Sequence, residues 1–417
     1  MNVLLSAYAC NPTKGGENGI GYHWTQEWLR HGHEVWCFTR PDERADIEAY
    51  LAKHSTPENR DRLHFVYVAV PNWVDYLYRW QFGVYLHYMV WQYQAWRAAR
   101  KLEATVGFDL IHHATYASLQ MASWLWRVGK PLVIGPLGGG QQTPRSFQSY
   151  IPDWFKSETM RNTISRVLMA SDRNVRQSIR HAALVLTTNN ETAEKVRALG
   201  ARRVELFLDS GLPESFLPAQ FPAREPAAQL HLLWLGRLIH RKALPLVLDA
   251  LAKVAARVPY HLTIVGDGPV GAELSEMLRQ RGLTERVTWR GSLPWAEVRE
   301  VFLTHDVFMF ASLRDSFASQ FLEAMGAGLP IITLNHQGAR DFIPTDAAIK
   351  VPVTTPDETV TALARAVEYC YDHPERRVAM GQAGYAFART QIWPARSQRI
   401  MQLIEEAVPQ LAVLKNT

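Results

Sequence analysis

Twice along its length the chain alternates short apolar runs with stretches of helical period, and prolines recur in the segment between the two series. The first series opens with Val3–Tyr8, passes a glycine-rich loop and a helical stretch Tyr22–Arg30, and returns at Glu34–Thr39. Further apolar runs fall at Leu63–Val70, Leu110–His112, Pro131–Ile134 and Leu184–Thr187, with helical stretches such as Val90–Leu102 between them. The second series places strands at Leu230–Leu235, His261–Val265, Val287–Arg290, Val307–Ala311 and Pro330–Leu334. Its helices fall at Ala243–Ala256, Ala272–Arg281, Trp295–Leu303, Gln320–Ala327, Ala362–Tyr371 and Ala395–Val408. Strands that are apolar throughout and alternate with helices form parallel sheets covered on both faces. The expected fold class is therefore α/β, as two Rossmann-like domains facing each other across a cleft. Pro213, Pro218, Pro222 and Pro226 interrupt the pattern. Prolines remove donors and block helices, so 209–229 reads as a linker between domains 1–208 and 230–390, with 391–417 as a C-terminal helical segment.

A length of 417 residues accommodates two or three domains. Apolar residues at 47% and charged residues at 20% exclude disordered, collagen-like and heptad chains. The formal charge of +5 is thin over such a length; it admits an anionic ligand without implying nucleic acid. Cys10, Cys37 and Cys370 form no CxxC, which fits a reducing cytoplasm. The opening residues lack the pattern of a signal peptide. The stretch Trp80–Trp96 is interrupted by Gln81, His87, Gln92 and Gln94, which argues against a membrane span.

In open parallel sheets, ligands bind beyond the carboxyl ends of the strands, and four loops stand there. Lys14-Gly-Gly-Glu-Asn-Gly-Ile-Gly21 lets backbone N–H groups approach a phosphate at a helix start, or it is a tight turn. It lacks the Gly-Lys-Ser/Thr of a Walker loop, and Trp24 stands where a dinucleotide fingerprint has its third glycine. Gly236-Arg237-Leu-Ile-His-Arg241-Lys242 brings three cations to a strand end, suited to a diphosphate if it is not a solvated turn. Gly266-Asp-Gly-Pro269 reads as a structural turn. In the fourth loop seven residues separate Asp315 from Glu323, so both carboxylates can face one cleft beside free helix N–H groups at Phe317–Ser319. Carboxylates accept hydrogen bonds from sugar hydroxyls, and helix N–H groups suit phosphate oxygens. A helix cap at Asp315 or Ser316 is the alternative, but it leaves Glu323 without a role.

With these loops in view, the chain resembles the group 1 (family four) retaining glycosyltransferases of the GT-B fold over nearly its whole length. The most specific piece is the E-x7-E motif, here D-x7-E, supported by LLWLGRLIHRKALPLVLDAL, LTIVGDGP and VTWRGSLP and by the N-terminal glycine loop. The resemblance implies that Gly236, Arg237 and Lys242 hold the donor diphosphate, that Asp315 holds the transferred sugar and that Glu323 holds the nucleotide ribose. It implies backbone donors at Phe317 and Ala318, a donor contact at Leu322, and a base-flanking loop from Arg290 to Leu293. Gly16 and Glu17 would close on the donor from the other domain, and the helix after Trp393-Pro394 would cross back onto the N-terminal domain. Gly138 and Gly139 match a glycine-rich turn that lines the acceptor side. Where the family often has His-x-His, this chain has His112-His113-Ala114, so the role passes to His113, with His112 beside it on the acceptor side. A histidine pair packed at a strand end is the alternative. Asp315 is also one methylene shorter than the usual glutamate.

The reaction so implied moves a sugar from a nucleotide diphosphate, such as a UDP- or GDP-sugar, to a hydroxyl, with retention. No Asp-x-Asp occurs, so metal-independent transfer without a cofactor is expected. Trp73, Tyr76, Tyr78, Trp80, Phe82, Tyr85, Tyr88, Trp91, Tyr93 and Trp96, flanked by Arg79, Arg97, Arg100 and Lys101, suit either a membrane interface over residues 72–101 or a buried helix pair. The first option makes the protein peripheral on the inner membrane and its acceptor a lipid-linked saccharide, in exopolysaccharide or glycolipid assembly. A soluble small-molecule acceptor is the other. The absence of G-x-S-x-G disfavours a serine hydrolase. The rival of another class is a non-catalytic nucleotide-sugar or glycan binder.

Overall fold

The computed structural model describes residues 1–80, 83–224 and 228–413; Phe82 and Pro226 lie outside them. The chain divides into two compact units. One comprises residues 1–140, 164–210 and 393–417; the other comprises 141–163 and 211–392.

The first unit is built on a seven-stranded sheet: β1 (Asn2–Ser6), β2 (Glu34–Thr39), β3 (Leu63–Tyr67), β4 (Leu110–His113), β5 (Leu132–Leu137), β6 (Leu184–Thr187) and β7 (Val204–Leu206). Every pairing is parallel, in the spatial order β3-β2-β1-β4-β5-β6-β7. Val3, Leu4, Leu110, Ile111, Leu132 and Val133 are fully buried, as strands covered on both faces require. The C-terminal helix Trp393–Ala407 belongs to this unit. Trp393 packs edge-on against Trp24 at 5.6 Å, and the Ser397 hydroxyl donates to Glu27 at 2.7 Å.

The second unit carries β8 (Leu230–Leu235), β9 (Tyr260–Val265), β10 (Val287–Trp289), β11 (Val307–Met309), β12 (Ile331–Leu334) and β13 (Ala348–Val351). The sheet is parallel, ordered β10-β9-β8-β11-β12-β13. In each sheet the chain runs outward from one strand and then returns to its other side, between β1 and β4 and between β8 and β11. Those are the switch points where the carboxyl ends of neighbouring strands diverge and leave a crevice.

Two expectations change. The segment 209–229 is not a free spacer over its described residues, because from Gly211 onward it packs on the second unit. Phe216 is buried against Phe302, and the Arg224 guanidinium donates to the carbonyls of His305 at 2.6 Å, Ala327 at 2.7 Å and Gly328 at 3.1 Å. Among the described residues, prolines allow only a single short helical turn there, Glu214–Phe216, but do not prevent burial of the apolar residues between them. Residues 141–163, expected in the N-terminal domain, belong instead to the second unit. The segment buries Phe147 and Ile151, and its other anchors are polar side chains reaching loops, which leave no periodic trace in a sequence.

Candidate active site

At the switch point of the second unit, the loop after β8 and the loop after β11 are stitched together. Gly236 is buried and Arg237 is exposed; a single turn, His240–Lys242, then leads into the helix Leu244–Ala252. The carbonyl of Arg241 accepts from the N–H of Leu313 at 2.9 Å and from the Ser312 hydroxyl at 3.1 Å. The Arg241 guanidinium donates to the Arg314 carbonyl at 2.8 Å and lies 3.8 Å from the Asp315 carboxylate. Lys242, only 8% exposed, pairs with the other oxygen of Asp315, and its ammonium sits 5.2 Å from the centre of the Phe310 ring. The pairing of basic loop and carboxylate loop is thus built into the fold.

The cations are crowded. Burial holds the Arg241 guanidinium below its ordinary range, Arg314 and Arg237 push it the same way, and Asp315 and Glu158 oppose them. Burial likewise lowers Arg314. Arg237 makes no ion pair among the described residues. A cluster in which positive charges repel one another in a dry setting is stabilised by an incoming anion.

Helix Ser319–Gly326 begins directly beside this cluster. Its first-turn N–H groups have no carbonyl of their own helix to meet. Phe317 and Ala318 bury their side chains, at 5% and 3% exposure, so backbone is what they offer. Glu323 lies further along the helix and is partly exposed. Leu322, at 0% exposure, points into the core, which removes its side chain from donor contact. Arg290 is exposed in the loop after β10, where its N–H pairs with the Ile264 carbonyl at 2.9 Å; Leu293 is half-buried. No motif in the sequence marks Arg314, Glu158 or Gln337; Arg314 only adjoins Asp315 in the chain.

At the switch point of the first unit, Gly16 adopts φ 63 and starts the helix Glu17–Arg30, a left-handed conformation that favours glycine. Lys14 anchors the loop through Glu43 at 2.7 Å. Glu17 is exposed and accepts from the N–H of Tyr116 at 3.2 Å, a residue itself at φ 53. Gly138 exchanges backbone hydrogen bonds with Ala117 and Leu119, and the Gly139 carbonyl accepts from the Gln120 amide at 2.7 Å. His112 is fully buried, with Nδ1 accepting from the Trp28 indole at 3.2 Å and Nε2 bound to the Gly135 carbonyl at 3.1 Å. Both nitrogens are consumed, so His112 packs in the core and is not an acceptor-side ligand. His113 is bound through Nε2 to the Tyr88 hydroxyl at 2.9 Å, while Nδ1 is buried without a partner among the described residues. Burial lowers the two imidazoles to about 4 and about 3, with His112 adding to the effect on His113. His113 is therefore a neutral hydrogen-bonding group at neutral pH.

Two parallel sheets, with cations and a carboxylate pair at the switch point of the second, define an α/β protein of the GT-B class. The chain belongs to the glycosyltransferases of group 1: residues 219–387 match the family model "Glycosyl transferases group 1" and residues 15–208 match the "Glycosyl transferase 4-like domain". It is 26% identical over 205 residues to a subunit of the phosphatidylinositol N-acetylglucosaminyltransferase of Arabidopsis thaliana, covering 49% of this chain and 44% of that one. It is 28% identical over 221 residues to the 2-deoxystreptamine glucosyltransferase of Streptomyces kanamyceticus, covering 50% of this chain and 56% of the other. The match thus spans about half the length of these curated relatives. Among solved structures, sucrose-phosphate synthase from Thermosynechococcus elongatus superposes with a TM-score of 0.66 at 16% identity, over 97% of this chain and 98% of that one. Anabaena Alr3699/HepE in complex with UDP gives 0.61 at 16% identity, over 97% and 100%. At that identity the likeness speaks for the fold alone. Among the described residues, no helix is long and apolar enough to cross a membrane.

Proposed function

We propose that this protein transfers a sugar, with retention at the anomeric carbon and without a bound metal, from a nucleoside diphosphate to a hydroxyl of a saccharide or lipid-linked saccharide, as in bacterial exopolysaccharide or glycolipid assembly. The observation that carries the reading is the basic turn Arg237–Lys242 tied to Asp315 at the start of helix Ser319–Gly326. In the reaction the bond from C1 to the β-phosphate oxygen breaks and a bond from C1 to the acceptor oxygen forms. The acceptor proton passes to the departing phosphate. Charge therefore develops on that phosphate, where Arg237, Arg241, Lys242 and the first-turn N–H groups supply fixed positive potential without reorganising. Asp315, paired to Lys242, would orient the ammonium and receive sugar hydroxyls, and Glu323 would receive the ribose. The UDP held by the Anabaena structure supports a nucleotide donor, and the name of the Arabidopsis relative supports a lipid acceptor. The Streptomyces relative's name favours a soluble small-molecule acceptor as the second reading.

The test is release of nucleoside diphosphate from UDP-glucose, UDP-N-acetylglucosamine and GDP-mannose in the presence of bacterial lipid extract, with and without chelator. One donor should turn over, chelator should not matter, and Lys242→Ala should lower kcat about 100-fold with a smaller change in KM. Equal loss in both parameters would remove Lys242 from the leaving group, and activity restored only by metal would overturn the metal-free reading.

A further inference from the structure

Gln337 follows β12 and holds a backbone that side chains rarely adopt, at φ 49, although it is buried to 2% exposure. Left-handed backbone in a residue other than glycine costs free energy and persists where surrounding contacts over-determine it. Those contacts are visible. The side-chain oxygen of Gln337 accepts from the N–H of Asp315 at 2.8 Å, and its nitrogen donates to the carbonyl of Gln142 at 2.8 Å. Its neighbour Gly338 passes so close that a Cβ there would lie 1.7 Å from the Ser316 carbonyl oxygen. The bridge therefore joins the carboxylate loop to residues 141–163.

That segment grips the same loop at two further places. The Gln141 amide donates to the Ser316 hydroxyl at 3.0 Å, and Arg314 donates to the buried carboxylate of Glu158 at 3.1 Å. Three consecutive residues, Arg314, Asp315 and Ser316, are each tied to one strap, directly or through Gln337. The strap is fastened elsewhere by the Tyr150 hydroxyl on Asp249 at 2.6 Å and by Ser146 on the Thr354 carbonyl at 3.1 Å. A loop so held has little freedom to choose where the Asp315 carboxylate points.

We propose that Gln337 is a positioning residue for the sugar end of the donor: through its bridge to the strap it fixes Asp315. The inference rests on the reading of Asp315 as the sugar-facing carboxylate. It assigns Gln337 no contact with substrate. A residue that acts only on Asp315 affects recognition of the sugar and spares that of the nucleotide, and this separates positioning from a general structural role.

The experiment measures affinity by calorimetry for UDP, GDP, UDP-glucose, UDP-N-acetylglucosamine and GDP-mannose, with wild type, Gln337→Gly and Gln337→Asn. Both replacements tolerate a left-handed backbone and remove the bridge; relief of backbone strain offsets part of the two lost hydrogen bonds, so melting temperature should change little or fall modestly while the fold is kept. Both variants should bind the preferred nucleotide sugar about tenfold more weakly than wild type, with less than about twofold change for the corresponding diphosphate. Equal weakening for sugar nucleotide and diphosphate, or no weakening, would overturn the positioning role while leaving the donor site intact. Failure of the wild type to bind any of these probes would overturn the donor reading and this proposal with it.

Discussion

The two adjacent histidines at the end of β4 show what burial does to a titratable pair. His112 accepts from Trp28 on Nδ1 and donates from Nε2 to a carbonyl, an arrangement only the neutral ring satisfies. His113 is equally enclosed, and burial lowers the two to about 4 and about 3. An unfolded chain takes up protons on both near pH 6.5, whereas the folded chain does so only well below. Their contribution to stability is thus complete above pH ~6.5 and is lost as pH falls toward the folded values, by ~1.4 kcal/mol per pH unit for each histidine. Urea unfolding between about pH 7 and pH 5 should show this decline, and His113→Gln should flatten it by the share of one proton. An unchanged slope would mean that folding leaves the proton affinity of His113 as it is in the unfolded chain. At this scale the sequence marks Asp315, Glu323 and the basic turn because a motif spaces them. It is silent on Gln337 and Glu158, whose importance comes from what they meet across more than 150 residues of chain.

Elements are legible where burial is symmetrical. β8, β9 and β12 are apolar at every position but one or two, and they fall where the apolar runs lie. β1 ends at Ser6, two residues before its apolar run does, because Ala7 and Tyr8 turn into the crevice region while remaining buried. The aromatic stretch 72–101 is buried on one face and exposed elsewhere among its described residues. Helix Gly83–Val106 buries Tyr88, Trp91, Ala95 and Ala99, spacings that share one face. Trp73 at 60% exposure, Tyr76 at 63%, Trp80 at 67% and Tyr85 at 56% remain on the outside with exposed Arg79, Arg97, Arg100 and Lys101. Aromatic rings interspersed with cations are suited to lipid headgroups. The protein should therefore bind vesicles containing phosphatidylglycerol, and Trp73→Ser with Tyr76→Ser and Trp80→Ser should reduce that binding about tenfold or more without unfolding the chain. Undiminished vesicle binding by the triple variant, checked by flotation, would remove this face from the acceptor account.

For the whole molecule, the α/β class and the repetition of the sheet are legible, because hydrophobic period alone dictates them. The division of the chain is legible in part. It changes unit after Gly140, Thr163, Ser210 and Ile392; proline spacing marks the break near 210 and the family resemblance the one near 392, whereas those at 140 and 163 leave no trace. The excursion 141–163 is held by buried Phe147 and Ile151 together with side-chain amides, a carboxylate and hydroxyls, whose partners cannot be read from local pattern. The second unit is proposed to hold a nucleotide-sugar site built around Lys242, Asp315 and Glu323. The most direct measurement is the thermal shift of wild type and Glu323→Ala with UDP, GDP, ADP and dTDP. At ~100 times its dissociation constant a ligand adds about 2.7 kcal/mol to the folded state. The account predicts that one nucleotide stabilises the wild type and that Glu323→Ala weakens its binding by about 1.5–3 kcal/mol, the worth of a hydrogen bond to a charged group. No shift with any nucleotide, or the same shift in both proteins, would contradict it.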